Sequence, residues 1–130
     1  MNLFIVSGAP NTGKSTTVYH LCTYLLNLGY VKTDIPYNGK RYSTSTSFPP
    51  ILANDFSCLL EKEGKKVLIH TATDDVFNID ALVNSINNHK PSIVITTCRD
   101  FGDWPRDYFC SQLKLVNSFI LASTSDIDIE

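Results

Sequence analysis

Residues Gly8 to Ser15 read Gly-Ala-Pro-Asn-Thr-Gly-Lys-Ser, a stretch that constrains the chain around it more than any other. Gly8 and Gly13 permit backbone conformations that a side chain obstructs, so successive N–H groups can turn inward and form a concave anion cradle. The residues before the stretch, Leu3-Phe4-Ile5-Val6, form a short apolar run suited to a buried parallel strand. After it, Val18, Leu21, Cys22, Leu25 and Leu26 have the spacing of a helix with one apolar face, and Gly29 sits where a C-terminal cap is expected. Strand, glycine loop and helix together are the context in which the pattern G-x-x-x-x-G-K-[ST] surrounds phosphate oxygens.

Each position then has a chemical reason. Gly8, Ala9, Pro10, Asn11, Thr12 and Gly13 wrap the phosphates, and Lys14 reaches the β and γ groups. Ser15 offers a hydroxyl to Mg²⁺, Thr16 and Thr17 fall in the first helical turn where either hydroxyl can approach the α-phosphate, and the helix is expected to direct its positive N-terminal end at the same anion. The expected ligand is a nucleoside triphosphate with Mg²⁺.

At 130 residues the chain is expected to form a single domain, residues 1–130, with little room for added lids. With 43% hydrophobic and 18% charged residues and a net charge of −2, disorder and membrane embedding are disfavoured, and no basic excess points to nucleic acid. Leu3 to Val6 is too short for a signal-peptide apolar region and has no basic lead-in, so a cytoplasmic location is expected. Cys22, Cys58, Cys98 and Cys110 are widely spaced in apolar segments, with neither a Cys-x-x-Cys pair nor zinc spacing, and read as reduced thiols, mostly buried.

The segment Tyr30 to Asn54 contains Pro36, Gly39, Pro49, Pro50 and a Ser/Thr run, and reads as a long binding or mobile loop with a strand around Lys40 to Ser45 as one option. Lys32, Asp34, Lys40 and Arg41, interleaved with aromatics, would let it cover a phosphoryl acceptor; a solvated insertion explains the same composition. Asp55 to Thr71 predicts a hairpin turning near Glu63-Gly64. Asp74, Asp75, Asn78 and Asp80 supply caps ahead of a helix through Ile79, Leu82, Val83 and Ile86, stopped by Pro91. Ile93-Val94-Ile95 predicts a central strand, Asp103-Trp104-Pro105 a helix start, and Leu115 to Leu121 a last strand followed by an acidic tail.

Ligands of open α/β sheets bind beyond the carboxyl ends of the strands, which singles out the segments after Val6, Ile69 and Ile95. Asp74 and Asp75 are the first candidates for Mg²⁺, although capping the next helix explains them equally; Asp100 is the runner-up. Asp74 would then complete the catalytic set with Lys14 and Arg99, the arginine stabilising a transferring phosphate or binding an acceptor. Arg106 can do the same, or pair on the surface with a neighbouring aspartate. Asp100-Phe101-Gly102 matches a protein-kinase tripeptide, but the chain is too short for such a domain and lacks the catalytic-loop pattern, so a turn is expected. His20, His70 and His89 share no motif, and structural or surface roles are expected.

The loop and its place near the N-terminus resemble the P-loop nucleoside triphosphatase superfamily, especially its small nucleotide-kinase-like members. The alternation of strands and helices predicts a mainly parallel α/β sheet with an antiparallel hairpin at its edge; the resemblance implies a three-layer P-loop NTPase-like fold and ATP with Mg²⁺ held by Gly13, Lys14, Ser15 and neighbouring backbone. An arginine-bearing lid and an acid directly after an apolar strand are missing. So is an Asn-Lys-x-Asp guanine motif, which favours ATP over GTP. The expected function is a small-molecule or nucleotide kinase acting on an unidentified acceptor, with an ATPase switch or a nucleotide-binding module as alternatives.

Overall fold

The computed structural model describes residues 1–8, 14–36, 55–98, 104–116 and 124–129. The elements in chain order are β1 (Asn2–Gly8), α1 (Lys14–Asn27), β2 (Val31–Asp34), β3 (Ser57–Lys62), β4 (Lys65–His70), α2 (Val76–His89), β5 (Ile93–Cys98), α3 (Arg106–Val116) and β6 (Thr124–Ile129). They build one six-stranded sheet in the order β2-β3-β4-β5-β1-β6.

The sheet is mixed, and this corrects the expected three-layer P-loop NTPase-like fold with its mainly parallel sheet and edge hairpin. Strands β2, β3 and β4 form an antiparallel meander, while β4–β5, β5–β1 and β1–β6 pair in parallel. The hairpin is therefore not an edge: β4 lies between β3 and β5, and β2 lies outside β3. The physical reason is in β4 itself, where Val67, Leu68, Ile69 and His70 are all buried. A strand with no solvated face needs cover on both sides and neighbours at both edges.

Two further elements differ from the sequence reading. Val31–Asp34 forms β2, inside the stretch read as loop, and the strand option around Lys40 lies outside the described residues. Toward the end of the chain, α3 continues through Val116, and the last strand is Thr124–Ile129, within the stretch read as an acidic tail. There Leu3 to Gly8 of β1 pair in register with Thr124 to Ile129, so backbone hydrogen bonding to a waiting strand outweighs the poor strand propensity of aspartate.

The alternation of side chains sorts the core onto two faces. Leu3, Ile5, Leu68 and Val94 meet Ile79 and Leu82 of α2 and Phe109 and Leu113 of α3. On the opposite face Val6, Leu60, Ile69 and Ile95 meet Val18 and Cys22 of α1. Leu21, expected on the buried stripe of α1, is 38% exposed, whereas Tyr19 and Leu25 pack inward with Val18 and Cys22. Glu63 and Gly64, both with positive φ (51° and 79°), close the β3–β4 hairpin, a conformation that suits the right-handed twist of its strands.

Candidate functional site

Because β3 alone runs against its neighbours, the carboxyl ends of β2, β4, β5, β1 and β6 all lie at one edge of the sheet. At that edge the chain leaves β1 for α1 on one face and leaves β5 for α3 on the other. The strands are adjacent, with Ser7 opposite Cys98. Connections that diverge to opposite faces between neighbouring strands open a crevice, the place where open sheets of this kind bind ligands.

Gly8 ends β1 on one side of this crevice, and Lys14, Ser15 and Thr16 form the first turn of α1. The N-terminus of α1, the positive end of its dipole, thus follows the carboxyl end of β1 in the chain. Ala9, Pro10, Asn11, Thr12 and Gly13 lie outside the described residues, as do Arg99, Asp100, Phe101 and Gly102. Arg106 is the first residue of α3 and is 5% exposed.

Asp75 caps α2: its carboxylate accepts from the backbone N–H of Asn78 at 2.8 Å and from the Asn78 side-chain amide at 3.0 Å. Asp74 is exposed beside it. Both follow β4, which is separated from β1 by β5. Lys32 and Asp34, read as parts of an acceptor-covering loop, stand on β2 and pair with each other at 3.1 Å. Among the described residues no group of three or more His, Cys, Asp or Glu side chains is placed to hold a metal ion.

Beneath this edge the ends of β4 and β5 are joined by a buried polar network that sequence reasoning missed. The Thr96 hydroxyl donates to the His70 carbonyl at 2.6 Å, Thr97 to the Thr71 carbonyl at 2.8 Å, and Thr73 to the Thr97 carbonyl at 2.7 Å. The backbone N–H of Phe56 donates to the Thr71 hydroxyl at 2.9 Å, bringing the start of β3 into the same cluster. The available signal was that both apolar strands run into threonines, Thr71 and Thr73 after one and Thr96 and Thr97 within the other.

His70 lies at the centre of the network with no exposed surface. Its Nε2 faces the carbonyls of Ala72 at 2.8 Å and Asn78 at 3.0 Å, and its Nδ1 faces the Ser57 hydroxyl at 2.9 Å. Carbonyls only accept, so Nε2 carries the hydrogen and Nδ1 accepts from Ser57. Burial disfavours the imidazolium and lowers the His70 pKa to about 4 against the partial opposition of the two carbonyls. The Ser57–His70 pair does not form a nucleophilic site, because both residues are sealed from solvent.

The cysteines are free, with Cys22, Cys58 and Cys98 buried and Cys110 partly so. The neighbouring Cys22 thiol and burial together raise the Cys58 pKa well above the usual thiol value, which keeps that sulfur protonated and inert. Among the described residues no helix is long and apolar enough to cross a membrane. Comparison with protein-family models, with curated proteins and with solved structures finds no match.

Proposed function

We propose that the β1–α1 junction binds the phosphates of a nucleoside triphosphate, ATP with Mg²⁺, and that the protein is a cytoplasmic small-molecule or nucleotide kinase. The observation that carries this reading is the coincidence of two independent features. Gly8 to Ser15 has the residues of a phosphate cradle, and the same segment leaves β1 at the one edge where the connections of β1 and β5 part to opposite faces.

In this reading the backbone amides of residues 8–13 and the N-terminus of α1 hold the β and γ phosphates, and Lys14 neutralises charge that grows on the transferring group. The hydroxyl oxygen of an acceptor bonds to the γ-phosphorus as the bond to the β–γ bridging oxygen breaks and the hydroxyl proton passes to solvent, leaving ADP and a phosphorylated acceptor. Bound Mg²⁺ supplies charge neutralisation at the phosphate oxygens, with Ser15 the residue best placed in sequence to hold it.

A second reading, nucleotide binding without efficient turnover, is favoured by one specific arrangement. The described end of β5, next to β1, carries Thr96, Thr97 and Cys98 rather than a carboxylate, and Asp75 is engaged as a cap. The two readings separate on acceptor-dependent ADP release, which only the first expects.

Thermal unfolding with ATP, GTP and ADP, with and without Mg²⁺, tests the shared premise. At a hundred times its dissociation constant a ligand adds about 2.7 kcal/mol. The expected result is a Mg²⁺-dependent shift with ATP that largely disappears in Lys14→Ala. Absence of a shift with every nucleotide would sink both readings.

A further inference from the structure

Phe77, in the first turn of α2, is 73% exposed, and Trp104, just before α3, is 66% exposed. The two rings belong to one surface. On α2, Phe77 is the neighbour of Asp80 one turn further along. The Tyr108 hydroxyl, from the first turn of α3, donates to the Asp80 carboxylate at 2.6 Å, so the starts of the two helices are fastened side by side. Trp104 lies against Tyr108, with ring centroids 6.3 Å apart and a tilt of 49°. Both exposed rings therefore stand at the same end of the α2–α3 layer, and Trp104 is backed by a ring that is itself held in place.

The charges at this end have one sign. Asp74, Asp75 and Asp107 are exposed there, with Asp80 partly so. Among the described residues of 71–80 and 104–110 the one basic side chain, Arg106, is 5% exposed. The basic groups of the same layer, His89, Lys90 and Lys114, stand at or just beyond the other ends of the two helices. An aromatic face rimmed by carboxylates disfavours nucleic acid and anionic lipid and is complementary to a cation that brings apolar surface with it. Arginine meets both demands, since its guanidinium stacks flat on an indole while its N–H groups reach carboxylates.

We propose that Phe77 and Trp104 form a docking surface for an arginine-bearing basic segment of a partner polypeptide, its guanidinium stacked on Trp104 and its charge balanced by the surrounding aspartates. This surface goes beyond the nucleotide reading and does not depend on it. The test accordingly contains no nucleotide.

Trp104 is the single tryptophan of the chain, so intrinsic tryptophan emission reports this position alone. The probe is a tryptophan-free peptide of nine arginines, followed by emission and by the anisotropy of a labelled copy, with a peptide of nine glutamates for comparison. Tyr24, 61% exposed on α1, serves as a reference aromatic away from the surface. The arginine peptide is expected to change Trp104 emission and to bind more weakly as salt rises, and the glutamate peptide to do neither. Trp104→Ala and Phe77→Ala, each with the native melting temperature, are expected to weaken binding roughly tenfold, and Trp104→Phe to restore most of it. Asp107→Asn lowers the affinity and flattens its salt dependence, while Tyr24→Ala leaves binding unchanged.

No binding of the arginine peptide overturns the proposal. So does binding that leaves emission unchanged and survives both aromatic substitutions, which would reduce the contact to diffuse charge. Equal binding of the glutamate peptide removes the role of the aspartates. Emission that changes with protein concentration alone, and not with peptide, overturns the proposal in favour of contact between copies of the chain.

Discussion

The Thr73 hydroxyl donates to the Thr97 carbonyl at 2.7 Å, fastening the turn after β4 to the end of β5. It is one of three threonine hydroxyls that lock these two strand ends together beneath the crevice. Replacing Thr73 with valine keeps the volume and removes the donor. The expected loss is about 1 kcal/mol, the net worth of one buried hydrogen bond. A lower urea midpoint with an unchanged slope would register it; an unchanged midpoint would show that the bond contributes nothing net.

His70 makes stability depend on pH. Its pKa falls from 6.5 to about 4 on burial, so between these values the unfolded chain takes up a proton that the folded chain refuses. Its contribution is complete above pH 6.5 and is lost progressively as the pH falls toward 4, up to about 3 kcal/mol in all. Denaturant titrations at neutral and mildly acid pH, on the native protein and His70→Gln, measure the difference. The native protein loses the extra stability on acidification and the variant does not; parallel curves would contradict the assignment.

Asp75 separates capping from metal binding. Asp75→Ala removes the acceptor for Asn78 N–H and is expected to cost about 1 kcal/mol, whereas Asp75→Asn, an equally good cap, restores stability. The Mg²⁺-dependent stabilisation by ATP is expected to be the same in native protein and Asp75→Asn. A selective loss of that stabilisation in Asp75→Asn would show the carboxylate acting on the metal.

The far end of α1 offers a fourth test. Gly29 has φ of 97°, and Lys62 donates to the Leu28 carbonyl while lying 5.9 Å from the centre of the Tyr30 ring. Gly29→Ala places a Cβ in the left-handed region and is expected to cost about 1 kcal/mol. Lys62→Met is expected to cost less than about 1 kcal/mol, and the difference should shrink in high salt. Melting temperatures at low and high ionic strength distinguish the two, since only the lysine effect responds to salt.

What could be read from the sequence was set by how much each segment's own residues decide. The apolar run before Gly8, the cap at Gly29, the Glu63-Gly64 turn and the Pro91 stop are local signals, and β1, α1, the β3–β4 hairpin and α2 follow them. Val31–Asp34 and Thr124–Ile129 became strands because β3 and β1 had open edges to offer them, information carried by distant residues. Missing β2 is what made a meander look like an edge hairpin. At the site, the glycine loop was legible because its pattern is contiguous, while the threonine network joins residues that are about 25 positions apart and acquire meaning only when the strands align.

The placement of β1 bears on how the chain is assembled. Strand β1 receives its two neighbours from residues 93–98 and 124–129, whereas β2, β3 and β4 can zip together from residues 31–70. Both edges of β1 therefore wait, hydrogen-bonding groups open, until residues 93–98 and 124–129 have been made. During that interval an apolar strand stands unpaired at both edges, so a chaperone's grip on β1 is most valuable before Thr124–Ile129 arrives.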